Sequence, residues 1–309
     1  MPLVLGGSAV VTPPYSIDNS CRFNEDDDAK LVRTQTAGDR TKWTLSMWCK
    51  RGNRTLTGQT LVLAFAGDAF DPGFLMASFM FPNKFNCYNY HTSATLGHIQ
   101  SNKIYRDVSA WYHLVVVWDT GAAAADRMRL YTNGVEETAW AIDANPSLDE
   151  VGETNNSGSD MVIGSKGYTT ANNFDGYIAE AILCDGQAYT PSDFGEFNSD
   201  SPTIWQPKDP SGLTFGTNGF WLDFKDSADL GNDVSGQGND FTVTNLAAID
   251  QTTDTPTNNF ATANPLMSNA EAFNEGNLHV TDRASTDASY GACSTIGARK
   301  GNGIWNLKL

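Results

Sequence analysis

A chain of 309 residues, 40% hydrophobic and 11% aromatic, holds enough apolar material for one large β-domain with extensions or for two ordinary domains. Its formal net charge of −16 argues against tracking nucleic-acid phosphates, which takes clustered Lys and Arg, and against attraction to anionic membranes. Charged residues are only 18%, and the Asn, Thr, Ser and Gly in their place are turn formers. No apolar run approaches the roughly 18 residues of a membrane span. Met1–Gly7 lacks the basic start and apolar length of a secretory signal, so export by that route is not expected. The five cysteines (Cys21, Cys49, Cys87, Cys184, Cys293) show neither zinc nor redox spacing, which suits reduced thiols and folding in cytosol.

In chain order, residues 1–17 read as an N-terminal arm, closed by Pro13-Pro14, which resists helix and ladder pairing. Strand character begins at Cys21-Arg22-Phe23, before the acidic loop Glu25–Asp28. Trp43–Lys50 alternates, placing Trp43, Leu45, Met47 and Cys49 on one face. Leu61–Ala66, Phe74–Phe81 and Lys84–Tyr90 follow as strands between Gly, Pro and Asn turns. Trp111–Asp119 and Arg127–Glu136 are further β-runs, and Asn133-Gly134 favours a type I′ hairpin turn because both central positions need positive φ. Val115-Val116-Val117 is apolar on both faces, as in a strand covered on both sides. Met161–Gly164 and Tyr177–Cys184 complete a sandwich over residues 18–205. The one helical signal is short: Thr190 as N-cap, Pro191 at the first position and Asp193 as the capping acid, with Phe194 and Phe197 pinning it to the body. Residues 206–245 read as a linker with one more strand at Phe220–Phe224. Residues 246–309 are an extended region too poor in large apolar residues to form a core of its own. The end regains strand character at Ile304–Leu309, as if cut short or awaiting a partner's sheet.

The stretches Cys21–Asn24, Gly38–Arg51, Trp111–Leu114, Tyr131–Val135 and Phe174–Gly195 together resemble a laminin-G-like domain of the concanavalin A type. The version they resemble occurs in virion structural proteins of tailed bacteriophages. There, segments like Asn218–Phe224 and Asp254–Phe260 follow the domain, and Cys293–Trp305 is similar to the opening of a SPRY-like sandwich. The resemblance implies an all-β, concanavalin A-like antiparallel sandwich (jelly roll) with extended terminal segments. It also implies a role as a capsid decoration or fibre-like component on the virion exterior, folded in the host cytoplasm, with partners among other virion proteins and copies of itself.

Glucanases share such folds, so carboxylate pairs matter. A retaining glycosidase needs two carboxyl groups about 5 Å apart, yet no Glu-x-Asp-x-Glu strand occurs. Asp149, Glu150 and Glu153 sit in a Gly/Asn/Ser-rich loop that reads as solvated. No catalytic residue is assigned, and the chain is expected not to be an enzyme. No cofactor is expected either. A structural calcium is considered at Asp68 and Asp71, or at Asp226, Asp229, Asp233 and Asp240, against the alternative that these residues form Asx-turns. The four histidines lack metal spacing: His113 reads as a hydrogen-bonded structural residue, and His91, His98 and His279 are isolated. In Lys84–His91, inward Phe85 and Cys87 leave Tyr88 and Tyr90 outward. With His91 they form a candidate glycan platform, for instance for host surface polysaccharide, or alternatively a subunit contact.

Overall fold

The computed structural model describes residues 15–52, 60–67, 73–80, 82–92, 94–166, 173–264, 272–281 and 293–295. Most of the N-terminal arm, Asp68, Asp71, the side chain of His279 and all of 291–309 except 293–295 lie outside the described residues. The strands run β1 Ser20–Phe23, β2 Lys30–Thr34, β3 Lys42–Arg51, β4 Thr60–Gly67, β5 Gly73–Met80, β6 Lys84–His91, β7 Ala94–Ile104, β8 Trp111–Asp119, β9 Met128–Thr132, β10 Val135–Glu136, β11 Trp140–Ala144, β12 Asp160–Ile163, β13 Gly176–Asp185, β14 Gly195–Phe197, β15 Trp205–Pro207, β16 Phe220–Leu222, β17 Thr242–Thr244 and β18 Gln251–Thr252. They build two antiparallel sheets. The first has the order β10-β9-β8-β3-β13-β1-β18, with β16 also on β13; the second is β11-β7-β6-β5-β4-β12-β2-β17. The fold is thus an all-β jelly-roll sandwich. Among the described residues there is no helix long and apolar enough to cross a membrane.

Alternation along each strand divides two kinds of packing. Trp43, Leu45, Met47 and Cys49 of β3 face the second sheet, where Leu75, Ala77, Phe79, Phe85, Cys87 and Ile99 meet them in one core. Trp43 and Trp118 stack there with ring centres 6.1 Å apart. Val116 joins this core, whereas Val115 and Val117 point away from it. A second sheet therefore covers only one side of β8. The other side is covered by the chain's own segment, which lays Phe194 and Phe215 over Val115, Val117, Ile182 and Cys184. The 3-10 turn Pro191–Asp193 begins that segment, with Thr190 N–H donating to Asp193 Oδ2 at 2.8 Å. Phe194 is buried, but Phe197 is 44% exposed and lies against Trp205 instead of the body.

At the edge, Asn133 (φ 50°) and Gly134 (φ 78°) form the tight turn between β9 and β10. Glycine is required here twice over. The left-handed backbone disfavours any Cβ, and a Cβ at Gly134 would fall 2.3 Å from Trp205. Gly134→Ala is expected to destabilise the fold by at least about 1 kcal/mol, read as a lower urea midpoint. An unchanged midpoint would mean that Trp205 is not seated on the turn.

Three strands beyond residue 205 are built into the sandwich: β16 pairs with β13, β17 with β2 and β18 with β1. Within the segment too polar to form its own core, residues 254–260 lie against the chain's own first sheet. Asp254 is buried there, and Lys50 Nζ donates to Asp254 Oδ2 (2.8 Å), Asn259 Oδ1 (2.8 Å) and the Phe260 carbonyl (2.7 Å). A bulge between Ala179 and Ile182 of β13 turns Glu180 into the left-handed region (φ 46°), where it is buried and accepts a hydrogen bond from Tyr15. Cys21, Cys49, Cys87 and Cys184 are buried thiols, and burial pushes Cys87 and Cys184 up to about 12, which leaves them unreactive.

Candidate functional site

The two sheets differ in what lies outside them. The outer face of the first is packed under Phe194, Phe215, Trp205, Tyr15 and Ile17. On the second, the outer cluster consists of residues from the sheet's own strands: buried Phe65, Met76 and Val162, with partly buried Val32 and Phe74. Cross-strand register extends this row over eight strands, Thr242–Val32–Val162–Phe65–Met76–Tyr88–His98–Ala144. The adjacent row runs Thr34–Asp160–Gly67–Phe74–Tyr90–Thr95.

Tyr88 and Tyr90 thus share the outward face, both half-buried, opposite Phe85 and Cys87 in the core. Phe74 links the aromatic rings. Its centre lies 5.7 Å from Phe65, 5.6 Å from Tyr88 and 5.5 Å from Tyr90, and Tyr88 lies 4.6 Å from His98. His98 Nε2 donates to Asn86 Oδ1 at 2.5 Å, and burial lowers its pKa, so the strip carries no histidine charge at neutral pH. Beside it, the next row is polar: Ser78–Asn86–Gln100. Ser78 Oγ and Asn86 Nδ2 are buried without a partner.

His91 is not part of this surface. One residue beyond Tyr90, it falls on the opposite face of the strand by the period-2 rule, where its Nδ1 meets Glu153 Oε1 at 2.6 Å. Glu153, which the sequence places in a solvated loop, is fully buried. Its other oxygen takes Asn156 Nδ2 at 3.1 Å and lies 3.5 Å from Arg40. The Arg40 guanidinium, with hydrogen bonds to His91 and Asn156, makes that burial tolerable. Phe74 and His98, which complete the aromatic strip, were absent from the candidates. Phe74 lies on a strand read from the sequence, but β7, which carries His98, was not read as one, and no local signal says which residue of a neighbouring strand stands beside Tyr88.

The aspartate-rich loop uses its carboxylates internally. Asp233 accepts from the amides of Trp221, Ser235 and Asn239, Asp229 from Gly231, Asp226 from Ala228 and Asp240 from Asp233. Those from Ser235, Gly231 and Ala228, each two residues on from its aspartate, are Asx-turn contacts. Among the described residues no group of three or more His, Cys, Asp or Glu is arranged to hold a metal ion. His113 Nε2 lies 2.9 Å from Ser46 Oγ, and its Nδ1 accepts from Trp205 Nε1 at 3.0 Å.

Residues 23–192 match the family described as the concanavalin A-like lectin/glucanases superfamily, more than half of the chain. The chain belongs to that superfamily. None of the curated proteins compared matches it. Among solved structures, the concanavalin A-like chain is similar to the heptameric SAP-like pentraxin of Limulus polyphemus, with 16% identity, TM-score 0.42, and coverage of 56% of this chain and 78% of that one. It is also similar to domain 4 of an extracellular arabinanase of Geobacillus stearothermophilus in complex with arabinotriose, with 17% identity, TM-score 0.40, and coverage of 56% and 73%. A third is tailspike protein 2 of an Escherichia coli bacteriophage, with 16% identity and TM-score 0.38. There the match covers 60% of this chain and 25% of the tailspike.

Proposed function

We propose that the protein is a non-enzymatic attachment module that binds polysaccharide through the outer face of its second sheet, carried on the surface of a tailed-phage particle. The observation that carries the binding reading is the strip Phe74–Tyr88–Tyr90–His98, uncharged and partly open to solvent. Aromatic rings offer broad apolar faces with polar edges, which suits the C–H faces and hydroxyls of sugars. The two rows that carry the strip contribute a single carboxylate, Asp160, whereas hydrolysis would need a pair. The phage setting rests on the sequence resemblance around Phe174–Gly195 and Asn218–Phe224, and repeated symmetric copies are the natural arrangement in a particle.

A glycan array probed with the full chain is expected to show binding to a polysaccharide fragment. The double variant Tyr88→Ala/Tyr90→Ala should weaken it by about 30-fold, the effect of losing a hot spot worth about 2 kcal/mol. Equal binding by both proteins would move the site elsewhere. Binding to no glycan would leave a purely structural role, and reducing-sugar release from β-glucans would overturn the non-enzymatic reading.

A further inference from the structure

On the opposite side of the molecule, a cleft of ≈ 320 Å³ opens between the β9–β10 turn at the edge of the first sheet and the β14–β15 hairpin. Trp48, Trp111, Trp205 and Phe197 form its apolar walls, and Lys103 and Asn133 are among its polar ones. Its size is at the lower end of the roughly 300–1,000 Å³ of small-molecule sites, and the mix of rings with a few polar groups is what such sites show.

The wall is built, not incidental. The Trp205 indole is held between two glycines, since a Cβ at Gly134 or Gly195 would approach it to 2.3 or 2.5 Å. Its N–H donates to His113 Nδ1 at 3.0 Å, which leaves Nε2 to donate to Ser46 Oγ at 2.9 Å. Trp48 stacks on the same imidazole at 4.6 Å, and burial pushes His113 down to about 3, so this wall stays neutral. Phe197 packs edge-on against Trp205 at 4.9 Å while 44% exposed.

Trp111 Nε1 donates to Asp254 Oδ1 at 3.1 Å and Trp205 Nε1 to His113, but the indole N–H of Trp48 is buried with no hydrogen-bond partner. That N–H is closed off from solvent, so the ligand contacts of the cleft fall to its exposed groups. Lys103 is already balanced by Glu137 Oε1 at 3.0 Å. Among the described residues lining the cleft, none offers an anion an unpaired positive charge.

We propose that this cleft is a second saccharide site, for one or two neutral pyranose units. A sugar C–H face would lie on Phe197 and Trp205, and its hydroxyls would meet Asn133 and Thr203. This site stands independently of the aromatic face of the second sheet, whose strip contains no tryptophan.

Tryptophan fluorescence of the full chain separates the two. The probes are the methyl glycosides of glucose, galactose and N-acetylglucosamine, with cellobiose, lactose and chitobiose. At least one is expected to give a saturable change that is unaltered in Tyr88→Ala/Tyr90→Ala. Its affinity should fall at least tenfold in Phe197→Ala and be partly kept in Phe197→Leu, with unchanged thermal unfolding in both. No saturable change with any probe would overturn the proposal. So would a change that survives Phe197→Ala but disappears in the tyrosine double variant.

Discussion

Lys50→Ala is expected to destabilise the protein by about 3–5 kcal/mol, because it leaves the Asp254 carboxylate buried without its counter-charge. Both side chains are almost inaccessible, at 1% and 4% exposed, and all three ammonium protons are placed, on Asp254, Asn259 and the Phe260 carbonyl. Burial lowers the Lys50 pKa more than Asp254 raises it. The pair is thus strained by desolvation, and its value lies in not being broken. The double variant Lys50→Met/Asp254→Asn should recover much of the loss, since the amide oxygen that replaces the carboxylate can still accept from Trp111 Nε1. Urea unfolding of the wild type, both single variants and the double gives the coupling directly. A loss below about 1 kcal/mol for Lys50→Ala would mean that water reaches Asp254. The same pair pins Thr253–Phe260 to the sandwich, so hydrogen exchange in that segment should quicken in Lys50→Ala before the core strands respond.

Stability should fall as pH rises from about 5 to about 8. Burial pushes Glu180 up to about 8, although the Tyr15 hydroxyl and Lys225 oppose the shift. Burial also pushes Asp175 up to about 8, helped by Glu25, Asp26 and Glu275. Unfolded carboxyls titrate near 4. Between that value and 8 the folded chain therefore holds protons that the unfolded chain has released. Its stability is full below about pH 4 and is lost as pH climbs through 8, by about 1.4 kcal/mol per pH unit for each group. Glu180→Gln, which preserves an acceptor for Tyr15, should flatten the dependence by one group's share and raise the melting temperature at pH 8 by several degrees. Asp175→Asn should remove the other share. An unchanged slope in both variants would show that these carboxyls stay ionised in the fold. Repulsion within a chain of net charge −16 acts in the same direction, and the variants separate it from the two buried acids.

The strands that were legible were so because their cause is local, whereas β2, β7 and β11 were not read from the sequence. Trp43-x-Leu45-x-Met47-x-Cys49 announces an inward face by period 2 alone, and Asn133-Gly134 announces its turn through the φ values that only such residues adopt readily. The same alternation set Tyr88 and Tyr90 on the side opposite Phe85 and Cys87. It also places His91 away from the tyrosines, a consequence of the same rule that the candidate platform did not apply.

What lies beside those tyrosines depended on register. Phe74 and His98 reach Tyr90 and Tyr88 only because β5 and β7 flank β6 with particular residues opposite one another, and a shift by one residue would have sent either ring to the other face. Burial of charge was likewise a tertiary matter. Nothing near Glu153 in the chain shows that Arg40 and His91 come to it, and nothing near Asp254 announces Lys50. Hydrophobic alternation and turn chemistry act over a few residues and are written in the sequence by itself. The aromatic face of the second sheet, the tryptophan cleft and the buried ion pairs join segments far apart in the chain, and only the closed sandwich brings them together.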